Sequence, residues 1–320
     1  MQPPMTLPDR MPAGLLDIES LDRREIEAIL DRARFFQPLP NESYRRLDAL
    51  RGKTIVNLFF EASTRTRVSF EIAAKRLGAD TLSIAAQGSS TSKGESLVDT
   101  LNTLVAMRPS AIVMRHAASG APQFLARHLH IPIVNAGDGT HEHPTQALLD
   151  ARTILDRLPA LEGLRVAIIG DIAHSRVARS NIHLLSKFGA EIVLCGPPSL
   201  LPRELERLAP GVRLAYDMME AIRGADVIMM LRVQLERQHE APMAASEYFR
   251  FYGLRLEHLA LARPDVIVMH PGPINRGREL SSEVADSQRS VILNQVENGV
   301  AVRMAVLERI LSDPQPDGRV

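Results

Sequence analysis

Residues 54–77 run Thr54-Ile55-Val56-Asn57-Leu58-Phe59-Phe60, then Glu61-Ala62-Ser63-Thr64-Arg65-Thr66-Arg67, then Val68-Ser69-Phe70-Glu71-Ile72-Ala73-Ala74-Lys75-Arg76-Leu77. The first run is strand-like and apolar, and the last is helix-like. A strand, a short hydroxyl- and arginine-rich turn and a helix N-terminus form a natural seat for an anion. Free backbone N–H groups and the positive end of the helix dipole point at one spot. The hydroxyls of Ser63, Thr64 and Thr66 add donors, and the Arg65 guanidinium adds a planar fork suited to phosphate oxygens. The glycines and lysine of a P-loop are missing, which argues against a nucleoside triphosphate. The plainer reading is a capped helix with solvated arginines.

The same alternation extends along the chain. Strand-like runs recur at 54–60, 80–85, 111–115 and 131–135, with helical patterns at 68–77, 95–107 and 120–128 between them. This implies a parallel sheet with crossover helices. A long helix is expected from about Thr145 to Leu158. Pro159 and Gly163 then break the pattern, and a second series begins. Its strands are expected at 165–170, 190–195, 212–215, 226–231 and 265–269, and its helices near 175–188, 202–208, 218–223 and 255–261. Upstream, Ser20 precedes an amphipathic helix over 21–30 and is the expected cap. The fold class is α/β: two doubly wound parallel-sheet domains, with a hinge near residue 159 and the active site in the cleft between them. The first domain is expected over residues 1–150, with a C-terminal helix at 299–312 packing back on it, and the second over 151–298.

Bulk properties narrow the function. The 320 residues suit about two domains, and 45% hydrophobic residues can build substantial cores. Formal net charge is +0, so no whole-protein attraction to nucleic acid or an acidic membrane is expected. Of 38 basic residues only Lys53, Lys75, Lys93 and Lys187 are lysines, so any anion site rests on arginine clusters. A lone cysteine, Cys195, excludes an internal disulfide and disfavours a cysteine metal site. No membrane span or secretion signal is apparent, and a soluble cytoplasmic protein is the expectation.

Unusual residues gather at the expected strand ends. Arg115 closes an apolar strand and needs an anionic partner, since a buried unpaired charge is costly. The polar loop from Asn135 opens the long helix through His143-Pro144-Thr145-Gln146, and His143 and Gln146 share a helix face. His141 and His143 could instead suggest a metal pair, but no further ligand cluster stands out. The run Val166 to Arg176 resembles a dinucleotide-binding turn and fails in detail. The later glycines are missing, and Asp171 puts a negative charge where a pyrophosphate would lie. Arg176 at a helix start and Arg232 at a strand end suit a ligand with two carboxylates. The loop from Gln87 to Ser96 is small and polar around Lys93, and reads as a linker or a lid. Val266 to Met269 run into His270-Pro271-Gly272-Pro273, a rigid turn able to aim backbone carbonyls.

Together these residues resemble the aspartate carbamoyltransferase branch of the transcarbamylase superfamily, from about residue 14 to 311 with every motif in order. Ser63-Thr64-Arg65-Thr66-Arg67 is similar to the carbamoyl-phosphate signature, and His143-Pro144-Thr145-Gln146 to the second superfamily signature. Lys93-Gly94-Glu95 and the run Arg232-Val233-Gln234-Leu235-Glu236-Arg237 resemble the aspartate branch. The Ser-Met-Gly and His-Cys-Leu-Pro segments of the ornithine branch are missing. A transcarbamylase for another amine, or a non-catalytic anion-binding regulator on the same fold, are the rival readings.

The resemblance implies transfer of the carbamoyl group of carbamoyl phosphate to L-aspartate, giving N-carbamoyl-L-aspartate and phosphate in de novo pyrimidine (UMP) biosynthesis. It implies no cofactor and no metal. Ser63, Thr64, Arg65 and Thr66 would hold the phosphate. Arg115, His143 and Gln146, with Thr66, would bind the carbamoyl end, and Gly272 and Pro273 would offer carbonyls to its amide. Arg176 would grip the α-carboxylate of aspartate, and Arg232 with Gln234 its side-chain carboxylate. Lys93 and a loop serine, Ser89 or its neighbour Ser90, would reach into an adjoining subunit's site. That implies a homotrimer with shared sites. A dodecamer with a dihydroorotase, a dihydroorotase-like chain or a regulatory chain is left open.

Overall fold

In the computed structural model, residues 14–37, 47–85, 97–233 and 243–312 are described. The first series contributes β1 (Gly14–Leu15), α1 (Arg23–Phe36), β2 (Thr54–Phe59), α2 (Thr64–Arg76), β3 (Asp80–Ala85), α3 (Leu97–Ala106), β4 (Ala111–His116), α4 (Ala121–His128), β5 (Ile133–Asp138) and α5 (Pro144–Leu155). The second contributes β6 (Arg165–Ile169), α6 (Arg176–Lys187), β7 (Glu191–Cys195), β8 (Val212–Ala215), α7 (Met218–Ile222), β9 (Val227–Met230), α8 (Ala245–Tyr252), β10 (Ile267–Met269), α9 (Ser282–Ala285) and α10 (Ile292–Leu311). Each series builds one five-stranded sheet, ordered β1-β5-β4-β2-β3 and β10-β9-β6-β7-β8, and every pairing is parallel.

These orders fix where ligands can bind. In the first sheet the chain steps outward from β2 to β3 and then returns to β4 on the other side of β2. In the second it steps from β6 through β7 to β8 and returns to β9. The connections therefore diverge between β2 and β4, and between β6 and β9. At such switch points adjacent loops leave on opposite faces and open a crevice at the carboxyl ends. The crevice of the first sheet is flanked by the Glu61–Thr66 turn and by Arg115. The crevice of the second is flanked by the turn leading to Arg176 and by Arg232.

Of three apolar clusters among the described residues, one runs through both sheets and the other two lie one on each sheet. The shared cluster includes Ile55, Val113 and Val134 from one sheet, Ile168, Ile192 and Met269 from the other, and Leu148, Ile182 and Leu307 from helices between them. Helix α5 packs on α6, and α10 lies against α1, α2 and α5. The returning helix thus starts at Ile292, seven residues before the expected 299. Asn298 and Gly299 obscured it, because glycine weakens a helix interior. Here the bare Gly299 makes room for the Arg303 guanidinium, whose Nη1 would stand 2.6 Å from a Cβ at that position.

Other differences have local causes. The expected helices at 202–208 and 255–261 are 3₁₀ segments, Arg203–Arg207 and Leu256–Leu261, short pieces of the kind that cap connections. Strand β1 is two residues long, α9 is four, and neither was expected. Helix α8 buries Tyr248 and Tyr252 one turn apart, and its aromatic richness hid it. At the N-terminus the cap of α1 is Asp22 instead of Ser20. The Asp22 carboxylate accepts from Glu25 N at 2.8 Å, and the Glu25 carboxylate accepts from Asp22 N at 3.0 Å. This reciprocal pair is a capping box.

Replacing Asp22 by Ala should lower the free energy of unfolding by about 1 kcal/mol in urea titrations. Ser20→Ala, at an exposed position before the helix, should change it by less than about 0.5 kcal/mol. The opposite ranking would contradict the assigned cap.

Candidate active site

The turn after β2 does not spend its hydroxyls on capping. Ser63 is the N-cap of α2, yet its side chain makes no cap hydrogen bond. Its Oγ donates instead to Thr66 Oγ1 at 3.0 Å. The first-turn amides of α2 are therefore left unsatisfied by the residue that would ordinarily serve them. His143 at the start of α5 likewise makes no side-chain cap bond. The plainer reading of the 63–67 turn, an ordinary capped helix, is not what forms.

The anionic partner that Arg115 requires is Glu61. Arg115 Nη2 donates to Glu61 Oε1 at 2.6 Å, and Arg115 Nη1 to Ala136 O at 3.2 Å. The same carboxylate takes Arg176 from the second sheet. Nη2 donates to Oε1 at 2.7 Å, Nη1 to Oε2 at 3.1 Å, and Nη1 also to Gly139 O at 3.2 Å. Glu61 thus ties a strand end of one sheet to a helix start of the other. Burial alone would push its carboxyl up, but the hydrogen bond from Arg176 and then the charges of Arg115 and Arg176 bring it down to about 2. Gly137 in β5 permits this crowding. Its φ is +111°, and a Cβ there would lie 3.0 Å from both Arg115 Nη1 and Arg176 Nε.

A second cationic pair, Arg65 and Arg232, also draws one member from each sheet. Arg65 is exposed, and no ion pair reaches it among the described residues. Partial desolvation, and then the charge of Arg232, push its pKa down. Its guanidinium rests on Gly272, where an added Cβ would come within 1.8 Å of Nη1. Gly272 also has a φ of +64°, so any side chain there would be both strained and in collision. The Gly272–Pro273 bond is cis. Gly272 N donates to His270 Nδ1 at 2.8 Å. Burial, followed by the charges of Arg65 and Arg232, holds that imidazole down to about 3.

His143 is 4% exposed and Gln146 8%. Burial, then the charges of Arg115, Arg176 and Arg303, hold the His143 ring well below the ordinary histidine range, so it is neutral. Its backbone N–H donates to Ser180 Oγ at 2.8 Å, and that hydroxyl donates to the buried Glu142 carboxylate at 2.7 Å. Gln146 Nε2 donates to Asp150 Oδ1 at 2.8 Å. His141 turns away to Asp138, with Nδ1 3.1 Å from its carboxylate, so the two histidines do not form a metal pair. Among the described residues no group of three or more His, Cys, Asp or Glu could hold a metal. No helix among them is long and apolar enough to cross a membrane.

The structure therefore gathers Arg65, Thr66, Arg115, His143, Gln146, Arg176, Arg232, Gly272 and Pro273 at the facing strand ends, with Ser63 and Thr64 opening α2. Ser89, Lys93 and Gln234 lie outside the described residues. Sequence reading missed Glu61, although it stands inside the stretch first quoted. An acid four residues before Arg65 and six before Arg67 was the available signal.

Glu61→Gln should destabilise the protein by roughly 1–3 kcal/mol near neutral pH. Because the folded pKa is depressed, the contribution is fully present above about 4.5 and is lost as pH falls towards about 2. The stability difference between wild type and variant, measured by denaturant unfolding across pH, should shrink over that window. A constant difference down to pH 2 would contradict the bridging role.

Comparison with known proteins identifies the family. The model described as aspartate/ornithine carbamoyltransferase, carbamoyl-P binding domain, matches residues 14–156, and its Asp/Orn binding domain counterpart matches residues 162–310. The aspartate carbamoyltransferase catalytic subunit of Solibacter usitatus is 79% identical over 301 residues, covering 94% of this chain and 100% of that one. Among solved structures, the ornithine carbamoyltransferase from Pyrococcus furiosus superposes with a TM-score of 0.84 at 30% identity, covering 95% of this chain and 98% of that one. The aspartate transcarbamoylase from Trypanosoma cruzi in complex with carbamoyl phosphate gives 0.84 at 32% identity, covering 94% of this chain and 97% of that one. With both domain models matched in order across nearly its whole length, the chain belongs to the aspartate/ornithine carbamoyltransferase family.

Proposed function

We propose that the crevice transfers a carbamoyl group from carbamoyl phosphate to the amine of L-aspartate, releasing N-carbamoyl-L-aspartate and phosphate. The observation that carries this reading is that arginines from the two sheets meet twice, Arg115 with Arg176 through Glu61, and Arg65 with Arg232. A phosphate at one end and two carboxylates at the other match that charge. The fold alone is shared with an ornithine enzyme, so it does not choose the amine. The choice rests on Arg176 and Arg232, which suit a dianionic acceptor, and on the 79% identity to an aspartate enzyme.

In this reading residues 1–150, with helix 299–312 returning to them, hold carbamoyl phosphate, and residues 151–298 hold aspartate. Ser63, Thr64, Arg65, Thr66 and the uncapped start of α2 take the phosphate. Arg115, His143 and Thr66 surround the carbonyl oxygen, where negative charge grows as the amine attacks. A neutral His143 serves there as a hydrogen-bond donor. Gln146 and the carbonyls of Gly272 and Pro273 accept from the carbamoyl N–H groups. Arg176 takes the α-carboxylate, and Arg232 with Gln234 the side-chain carboxylate. The tetrahedral intermediate collapses with loss of phosphate, which is the proposed acceptor of the amine proton. Donors aimed at the oxyanion stabilise the transition state more than the ground state.

Lys93 and Ser89 are proposed to come from a neighbouring copy in a homotrimer. The edge strand β3, which leads into their loop, supports this. Leu82 on β3 and Ile72 on α2 stand exposed there, beside a hollow of about 730 Å³. An open apolar sheet edge favours pairing with another surface. Assembly with a dihydroorotase-like or regulatory chain, and a cytoplasmic location, are compatible with this arrangement.

Side-by-side carbamoylation of aspartate and ornithine should give turnover with aspartate alone. Equal or greater turnover of ornithine would overturn the amine assignment. Arg65→Ala should lower kcat/KM by at least about 10²–10³-fold without changing the native mass. Activity within tenfold of wild type would refute the phosphate role. Mixing Lys93→Ala with Arg65→Ala subunits should restore activity through hybrid sites, and none after demonstrated exchange would count against a shared site.

A further inference from the structure

Asp150 is fully buried on α5, one turn after Gln146, and the reaction as derived does not use it. Three side-chain amides converge on its carboxylate. Gln146 Nε2 donates to Oδ1 at 2.8 Å, Gln295 Nε2 from α10 donates to the same Oδ1 at 2.7 Å, and Asn181 Nδ2 from α6 donates to Oδ2 at 2.9 Å. An ionised carboxylate only accepts, so each amide must turn its nitrogen towards it. Burial pushes the Asp150 carboxyl up to about 6, while the hydrogen bonds from the three amides favour its ionised form.

The consequence lies at the far end of two of these amides. With its nitrogen committed to Asp150, Gln146 presents Oε1 on its opposite side. Gln295 likewise presents Oε1 away from Asp150, and that oxygen accepts from His270 N at 3.0 Å. His270 opens the turn that carries Gly272 and Pro273. One carboxylate therefore orients the Gln146 carboxamide and, through Gln295, anchors the turn from the other sheet. Resting on the carbamoyl-transfer reading above, we propose that Asp150 is a positioning residue that sets selectivity for a carbamoyl over an acetyl phosphate, by holding the Gln146 oxygen and the 272–273 carbonyls as acceptors for the substrate amide.

The chemistry explains why this orientation matters. Carbamoyl phosphate and acetyl phosphate share the phosphate and the carbonyl. They differ in an –NH₂ group against a methyl. Donors around the carbonyl cannot tell them apart, whereas acceptors fixed opposite the –NH₂ can. A site built for a substrate N–H leaves buried polar groups unpaired when that N–H is missing. If Gln146 were turned over, its N–H groups would face the substrate amide and the preference would weaken.

The test compares binding of carbamoyl phosphate and acetyl phosphate, by calorimetry, to the full-length protein. Asp150→Asn keeps the shape but must direct an N–H towards one of the three donors. Asp150→Leu removes the acceptor from all of them. The ratio of the two dissociation constants should fall by about tenfold or more in Asp150→Leu and by a smaller factor in Asp150→Asn. Asn181→Ala is the structural control. It removes one donor to the same carboxylate but reaches neither Gln146 nor His270, so it should lower stability and leave the ratio within twofold. A ratio unchanged in both Asp150 variants, or lost equally in Asn181→Ala, would overturn the proposal. Neutron diffraction of the wild type gives an independent reading: deuterons of Gln146 facing Asp150 support it, and the Gln146 oxygen facing Asp150 refutes it. A wild type that binds both acyl phosphates equally would instead sink the carbamoyl-transfer reading, and the neutron result would still decide the orientation.

Discussion

Like charges converge at the centre of this molecule, and one carboxylate holds part of that convergence together. Two parallel sheets present their switch points to each other, which brings Arg65, Arg115, Arg176 and Arg232 towards one crevice. At short range in a partly dry cleft, guanidinium groups repel strongly. Glu61 offsets this between Arg115 and Arg176 with three short hydrogen bonds divided across the sheets. Its strongly depressed pKa is the signature of that environment. Arg65 carries the imprint of the same crowding: burial, and then the charge of Arg232, push its pKa down. A cleft lined by arginines from both sheets suits anionic ligands.

The same field governs the histidines. His143 and His270 are both buried beside arginines, and both are held neutral. Neither is suited to carry a positive charge or to act as a proton reservoir near neutral pH. They serve as fixed hydrogen-bonding groups, His270 inside the turn and His143 at the start of α5. The catalytic strategy that follows is positioning and electrostatic stabilisation, with rigid helices and a packed core holding the donors in place. Helix α10 is central to that rigidity. It packs on α1, α2 and α5, and it sends Gln295 and Arg303 into the polar layer behind the crevice.

The alternation of strands and helices was legible because each element has its own period, and parallel sheets leave continuous apolar runs. Most strand bounds shifted by one or two residues. Elements whose local preferences disagree with their final state were not legible: α8 with its aromatics, the start of α10 around Asn298 and Gly299, and the two-residue β1. In the site, residues with strong individual chemistry announced themselves. Arg115 at a strand end demanded a partner, and that demand was met by Glu61. Asp150 and Gln146 sit at i and i+4 on one helix, a pairing visible in sequence. Gln295, which completes the network, lies 145 residues from Asp150, and only the packing of α10 on α5 brings them together.

The central claim is that one crevice takes a phosphate and a dianionic amino acid side by side. N-(phosphonacetyl)-L-aspartate joins a phosphonate to an aspartate in a single molecule. A crystal structure of this protein with that compound tests the claim most directly. The account predicts the phosphonate against Ser63, Arg65 and Thr66, and the two carboxylates against Arg176 and Arg232. Failure of the compound to bind, or binding with either end outside the arginine cluster, would contradict it.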